Sequence, residues 1–255
     1  MIKKALVFAS VGVLAIACSA TVVNPVVDNG EGGITKDGGR EASPVADASK
    51  ACMAGDVATF MPTFLPPALT LGACTDSQVD AYVDCLFDTL PDAATCKALS
   101  KNAANAACLK CAGPNAAGPM ISQGGGLVSL NNAGCIGVKD GNIAAGSCAS
   151  KVQASTQCAN AACDANCPVE QLAADGSNQA TVDAELAALN ACTAKAPTGA
   201  CKTYGDAAAC ADAEEADGGP AAACTGPSGE TFQDSAKRLT KIFCGGGVAV
   251  DAGPG

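Results

Sequence analysis

The sequence predicts an all-α fold: short helices cross-linked by multiple disulfides, with long Gly/Asn-rich loops, preceded by a disordered tether. Three observations lead there. Apolar residues recur at helical spacing while β-branched alternating runs are nearly absent. Alanine, the strongest helix former, supplies 55 of the 255 residues. Seventeen cysteines occur in a chain with no histidine and no tryptophan.

The elements follow in order. Thr75-Asp-Ser-Gln78 has the form of a capping box, a hydroxyl at the N-cap and a glutamine three residues on. Val79, Tyr82, Val83, Leu86 and Leu90 then recur every three or four residues until Pro91 stops the run. Asp92 to Lys110 is a second, alanine-rich and interrupted helix. Gly113 to Gly146, rich in glycine and asparagine, is expected to be a long loop. Cys148 to about Asn166 forms a third helix, and Thr181 to Lys195 a fourth with Val182, Leu186 and Leu189 on one face. Cys201 to Ala216 is a fifth. Phe232, Ala236, Leu239 and Phe243 mark a sixth after Pro227 and Ser228.

Packing alone is a weak explanation for a fold of this composition. Between Cys52 and Cys244, 193 residues contain 35 of Val, Ile, Leu, Met, Phe and Tyr. Alanine gains little on burial, because the hydrophobic contribution scales with apolar area. Exported domains with thin cores compensate with disulfides, each worth about 2–4 kcal/mol. The sixteen cysteines Cys52, Cys74, Cys85, Cys96, Cys108, Cys111, Cys135, Cys148, Cys158, Cys163, Cys167, Cys192, Cys201, Cys210, Cys224 and Cys244 are therefore expected to form about eight bridges. Their connectivity stays open. Cys74, Cys85 and Cys96 lie 11 apart and Cys192, Cys201 and Cys210 lie 9 apart, a suggestion of internal repetition but not of two domains.

The seventeenth cysteine stands apart. Lys3 and Lys4 precede an uncharged stretch from Ala5 to Ala17, which is signal-peptide length and shorter than the roughly 20 residues a spanning helix needs. Leu14-Ala15-Ile16-Ala17-Cys18 then resembles the lipobox of bacterial lipoproteins, with Cys18 as the thiol that accepts the lipid. Ala15 stands where leucine is commoner. Ala15-Ile16-Ala17 also fits an ordinary secretory cleavage site, and a retained anchor is a third reading. Removing Cys18 leaves an even number of cysteines, which favours lipidation. Ser19, rather than aspartate, follows it and suits an outer-membrane lipoprotein of the cell envelope, facing the periplasm or the surface; secretion is the alternative. The division expected is a signal peptide over 1–17, a lipidated flexible tether over 18–51, a cysteine-rich helical domain over 52–244 and a loose tail over 245–255.

Charge and motifs narrow the chemistry. The net charge is −10, and Arg40 and Arg238 are the only arginines. No basic stripe exists to neutralise phosphates, so no nucleic-acid partner is expected. The membrane is met through the lipid. Cys108-Leu-Lys-Cys111 is a CxxC, but without a βαβ context it is expected to be structural, and Ala112 stands where haem attachment needs a histidine. Cys158, Cys163 and Cys167 have a spacing that could serve a metal cluster, yet oxidation competes for those thiols, so no metal and no cofactor is expected. A Ser-His or Cys-His pair is excluded, and no catalytic residue is assigned. Asp206, Asp212, Glu214, Glu215 and Asp217 form a charge run of the kind that usually solvates a surface. Asp175-Gly-Ser-Asn178 lacks the acid spacing of a calcium loop.

Cys85, Cys96 and Cys108-Leu-Lys-Cys111, then Asn132-Ala-Gly-Cys135-Ile, then Gln157-Cys158-Ala-Asn-Ala-Ala-Cys163-Asp-Ala-Asn-Cys167-Pro168 occur in that order. This order, over roughly Cys74 to Cys210, resembles the alanine- and cysteine-rich exported lipoproteins of myxobacteria and related predatory or soil bacteria. The resemblance implies export and oxidised cysteines, and it implies no catalytic residues. Two functional classes follow. One is a surface-tethered, non-enzymatic structural, adhesive or ligand-binding domain. The other is a secreted accessory or hydrolytic enzyme using carboxylates, which requires a concave pocket lined by two or three acids.

Overall fold

The computed structural model describes residues 22–23, 52–87, 93–124, 127–170 and 178–246. The expected signal peptide, Cys18, the rest of the expected tether and the expected tail beyond Gly246 lie outside the described residues. Nine α-helices occur among those described, in chain order α1 (Asp76–Leu86), α2 (Ala93–Lys101), α3 (Ala106–Ala112), α4 (Asn132–Asp140), α5 (Cys148–Cys163), α6 (Gln179–Lys195), α7 (Lys202–Ala208), α8 (Cys210–Glu214) and α9 (Phe232–Cys244). The Thr75 capping box is formed: the Gln78 amide donates to Thr75 Oγ1, and the Thr75 amide donates to Gln78 Oε1. The interrupted second helix divides at Asn102, whose side chain accepts from the Ala104 amide and starts a 3-10 turn. The expected fifth helix breaks at Ala209 into α7 and α8.

All-α overstates the helical content. Strands β2 (Met120–Gly124) and β3 (Leu127–Leu130) form an antiparallel hairpin that buries Met120, Val128 and Leu130. The pair Val22–Val23 adds a two-residue β1 to the other side of β3. The expected long loop over Gly113 to Gly146 holds this hairpin and α4. Some glycines there mark close packing, while Gly141 and Gly146 supply positive φ. A Cβ on Gly137 would stand 2.9 Å from the Cβ of Ala149, so α4 approaches α5 only because that atom is missing. Asn131, almost fully buried, caps α4: its Oδ1 accepts from the Gly134 amide, and its Nδ2 donates to the Gly118 carbonyl.

Helix α5 joins two cores. The first gathers Val79, Val83, Met120, Ile136, Leu239 and Phe243 from α1, the hairpin, α4 and α9. The second gathers Ala159, Ala162, Leu189 and Ala196 with cysteines of α5 and α6. Alanine and cysteine dominate the second, which leaves little apolar area to drive it together. Ion pairs line the α1–α9 seam, Lys237 with Asp84 at 2.5 Å and Lys241 with Asp80 at 2.9 Å.

All sixteen described cysteines are paired. Five bridges nest one inside another: Cys163–Cys192 within Cys158–Cys201, within Cys148–Cys210, within Cys135–Cys224, within Cys111–Cys244. Their sequence separations rise as 29, 43, 62, 89 and 133. The chain is thereby stapled as a long antiparallel hairpin of helices. The 9-residue spacing of Cys192, Cys201 and Cys210 thus sets three successive rungs onto the single helix α5. Cys85–Cys96 nests within Cys74–Cys108 in the same way. Cys52–Cys167 alone crosses the ladder.

Candidate functional site

Cysteine chemistry is the first candidate. Cys108 and Cys111 do not bond to each other; they leave α3 toward Cys74 and Cys244. Both are buried, so the CxxC presents no dithiol to a substrate. Cys158, Cys163 and Cys167 likewise part company, toward Cys201, Cys192 and Cys52. The sulfurs of Cys52, Cys167 and Cys192 lie within 4.8 Å of one another, but they belong to two disulfides and offer no thiolate to a metal.

Among the described residues, the acid run from Asp206 to Asp217 contributes no carboxylate to the depression between Pro62 and Tyr204. Asp206 pairs with Lys202 one helical turn away, both exposed. Burial raises the Glu215 carboxyl above its ordinary range, Asp212 raises it further, and Arg238 pulls it back. Glu230 is held the other way: the hydrogen-bonded Arg238 guanidinium keeps it below its ordinary value against partial burial, and the Ser235 hydroxyl helps. Arg238 donates through Nε and Nη2 to the two Glu230 oxygens, at 3.0 and 2.7 Å, and through Nη1 to the carbonyls of Ala223 and Cys224. That network ties α9 to the loop carrying the Cys135–Cys224 bridge, a structural task. A shallow depression of about 210 Å³ lies between Pro62, Phe64, Ser150, Lys151, Ala154 and Tyr204. It is smaller than usual small-molecule sites and no carboxylate lines it.

The surface feature with a built architecture is the segment from Cys52 to Cys74, which sequence reasoning passed over. It is a strap without regular secondary structure, fastened at both ends by disulfides. It runs antiparallel to α5. The Asn166 side chain donates to the Met53 carbonyl, and the Gly55 amide donates to Ala162. Further along, two glutamines one turn apart clamp its backbone. Gln157 accepts from the Thr63 amide at 3.0 Å and donates to the Thr63 carbonyl at 2.8 Å. Gln153 does the same to Leu65, at 2.7 and 3.1 Å. The strap then donates from Ala68 to Ala117, from Thr70 to Phe243 and from Cys74 to Cys244. Phe60 packs edge-to-face on Tyr204, whose hydroxyl donates to the Phe60 carbonyl. Pro62, Pro66 and Pro67 keep this segment out of helix and ladder, and the absence of any charge from Val57 to Thr75 was the legible signal.

No protein-family model, curated protein or solved structure matches the chain. Among the described residues, no helix is long and apolar enough to cross a membrane. Eight disulfides are characteristic of proteins in oxidising compartments outside the cytoplasm.

Proposed function

We propose that the protein is a lipid-anchored envelope protein, held at the outer membrane through Cys18, whose stapled helical domain acts as a non-enzymatic structural, adhesive or ligand-binding module. The observation that supports this reading is cysteine usage. The sixteen cysteines from Cys52 to Cys244 satisfy one another within the domain, so Cys18 has no bonding partner left in the chain. A lone cysteine behind a short apolar leader is what acyl transfer requires. The resemblance to exported lipoproteins of myxobacteria and related bacteria points the same way.

The test is mass spectrometry of the N-terminal peptide from envelope-purified protein, beside a Cys18→Ser variant. Acyl mass on Cys18, and loss of the variant from the membrane fraction, are expected. A mature N-terminus at Ser19, or a variant that stays in the membrane fraction, refutes the anchor.

A further inference from the structure

Among the described residues, six large apolar side chains are exposed, and five lie on the strap: Met53 (68%), Met61 (84%), Leu65 (40%), Leu69 (38%) and Leu71 (55%). The sixth, Ile143, follows α4 elsewhere. Apolar side chains scattered singly are ordinary on a surface, but four of these fall within the eleven residues from Met61 to Leu71. From Val57 to Thr75 the strap carries no charge, in a protein of net charge −10. The longer charge-free run from Cys111 to Val138 is mostly buried where it is described, so the strap is the exposed one, and it carries no charge for an anionic bilayer surface to repel.

The backbone is prepared for a poorly hydrated setting. Between Met61 and Gly72, three residues are prolines with no N–H, and Thr63, Leu65, Ala68, Thr70 and Gly72 donate to acceptors of the domain beneath. An irregular segment can meet lipid only when its polar backbone is satisfied from within, and the Gln153 and Gln157 clamps supply much of that. The anchor arm reaches the same end of the molecule. Val22–Val23 pairs with β3, which is hydrogen-bonded to β2, and Ala117, three residues before β2, accepts from Ala68 of the strap. Cys18 lies four residues before Val22, a reach of about 14 Å when extended.

We propose that the strap from Met61 to Leu71 is a bilayer-seating edge, inserted shallowly into the interface of the membrane that holds the Cys18 lipid. The proposal builds on the lipid-anchor reading, and it turns the tether from a long leash into a short stay. The side chains enter the headgroup boundary while the acidic remainder faces water.

The experiment separates this from acylation. The mature chain, all native disulfides formed, keeps Cys18 as its one free thiol and is coupled through it to maleimide-bearing phosphatidylcholine vesicles containing brominated lipid. The chain has no tryptophan, so Leu69→Trp, Leu71→Trp and Ile143→Trp each report one position. The strap tryptophans should be quenched severalfold more than the one at 143. Adding phosphatidylglycerol should reduce that quenching, and salt should restore it, because the domain is acidic. Equal quenching at all three positions, or none, overturns the proposal. So does a concentration-dependent dimer in solution that Leu65→Ser, Leu69→Ser and Leu71→Ser together abolish, which would assign the face to a second copy. Because the tether is made chemically, a protein that proves not to be acylated in the cell leaves this readout intact.

Discussion

Replacing Cys148 and Cys210 by alanine opens one rung of the ladder between two intact ones. As an isolated loop of 62 residues, that bridge would stabilise the fold by about 4.3 kcal/mol through chain entropy. It is not isolated. Segments of 13 and 14 residues separate it from Cys135–Cys224, and segments of 10 and 9 separate it from Cys158–Cys201. Its removal merges closed rings of about 27 and about 19 residues into one of about 46, and the same expression then gives about 2.8 kcal/mol. Both cysteines are only partly buried, so the cavity contribution is small. For a domain of this size the expected fall in Tm is about 6–11 °C. The assay is urea and thermal unfolding by circular dichroism without reductant. A loss of about 4 kcal/mol or more would show that the rungs act independently of their neighbours. A loss near zero would show that chain entropy is not what the ladder supplies.

Three further outcomes are expected. Alkylation of the unreduced, denatured mature domain should label none of the sixteen cysteines, and label on Cys108 or Cys111 would restore a redox role for the CxxC. Gly137→Ala should destabilise by about 1–3 kcal/mol, read from denaturation midpoints, because the new methyl meets Ala149 at 2.9 Å in a helix contact with no room to part. Glu230→Gln should cost stability near neutral pH and much less in acid. The Glu230 carboxyl is lowered in the fold, so its contribution is present above the unfolded carboxylate value of about 4.3 and disappears as pH falls through the folded value. Denaturation midpoints of the two proteins should therefore converge on acidification, and a gap that stayed constant with pH would refute the Arg238 coupling.

The helices were legible where local chemistry decides them. Thr75 to Gln78 announces its own cap, and Phe232, Ala236, Leu239 and Phe243 describe one face whatever they pack on. Oxidation was legible from cysteine parity and a thin apolar inventory. Helix α4 was not, because Gly134 and Gly137 carry a loop signature while their real constraint is the neighbouring Ala149 and the Asn131 cap, both long-range or context-bound facts. The hairpin was hidden for a related reason: Met120 to Leu130 holds only five larger apolar residues around a glycine run, and its burial comes from α9 and α4 rather than from its own pattern. The strap has no period, and its one sequence signal, the charge-free run from Val57 to Thr75, is shared by Cys111 to Val138. Its order comes from Gln153 and Gln157, some 88 and 94 residues downstream, which bind main chain and leave no trace in the sequence they hold.

The order in which the cysteines leave an export channel has a consequence for the cell that makes this protein. Taken along the chain, only Cys85 and Cys96 are consecutive cysteines that are also native partners. An oxidase joining each thiol to the next one to emerge would lock Cys52 to Cys74 while Cys167 was still inside. Seven of the eight native links must therefore be reached by waiting or by reshuffling. A host that oxidises without isomerising should accumulate mispaired protein of the correct mass. Yield should track isomerase activity rather than oxidant strength.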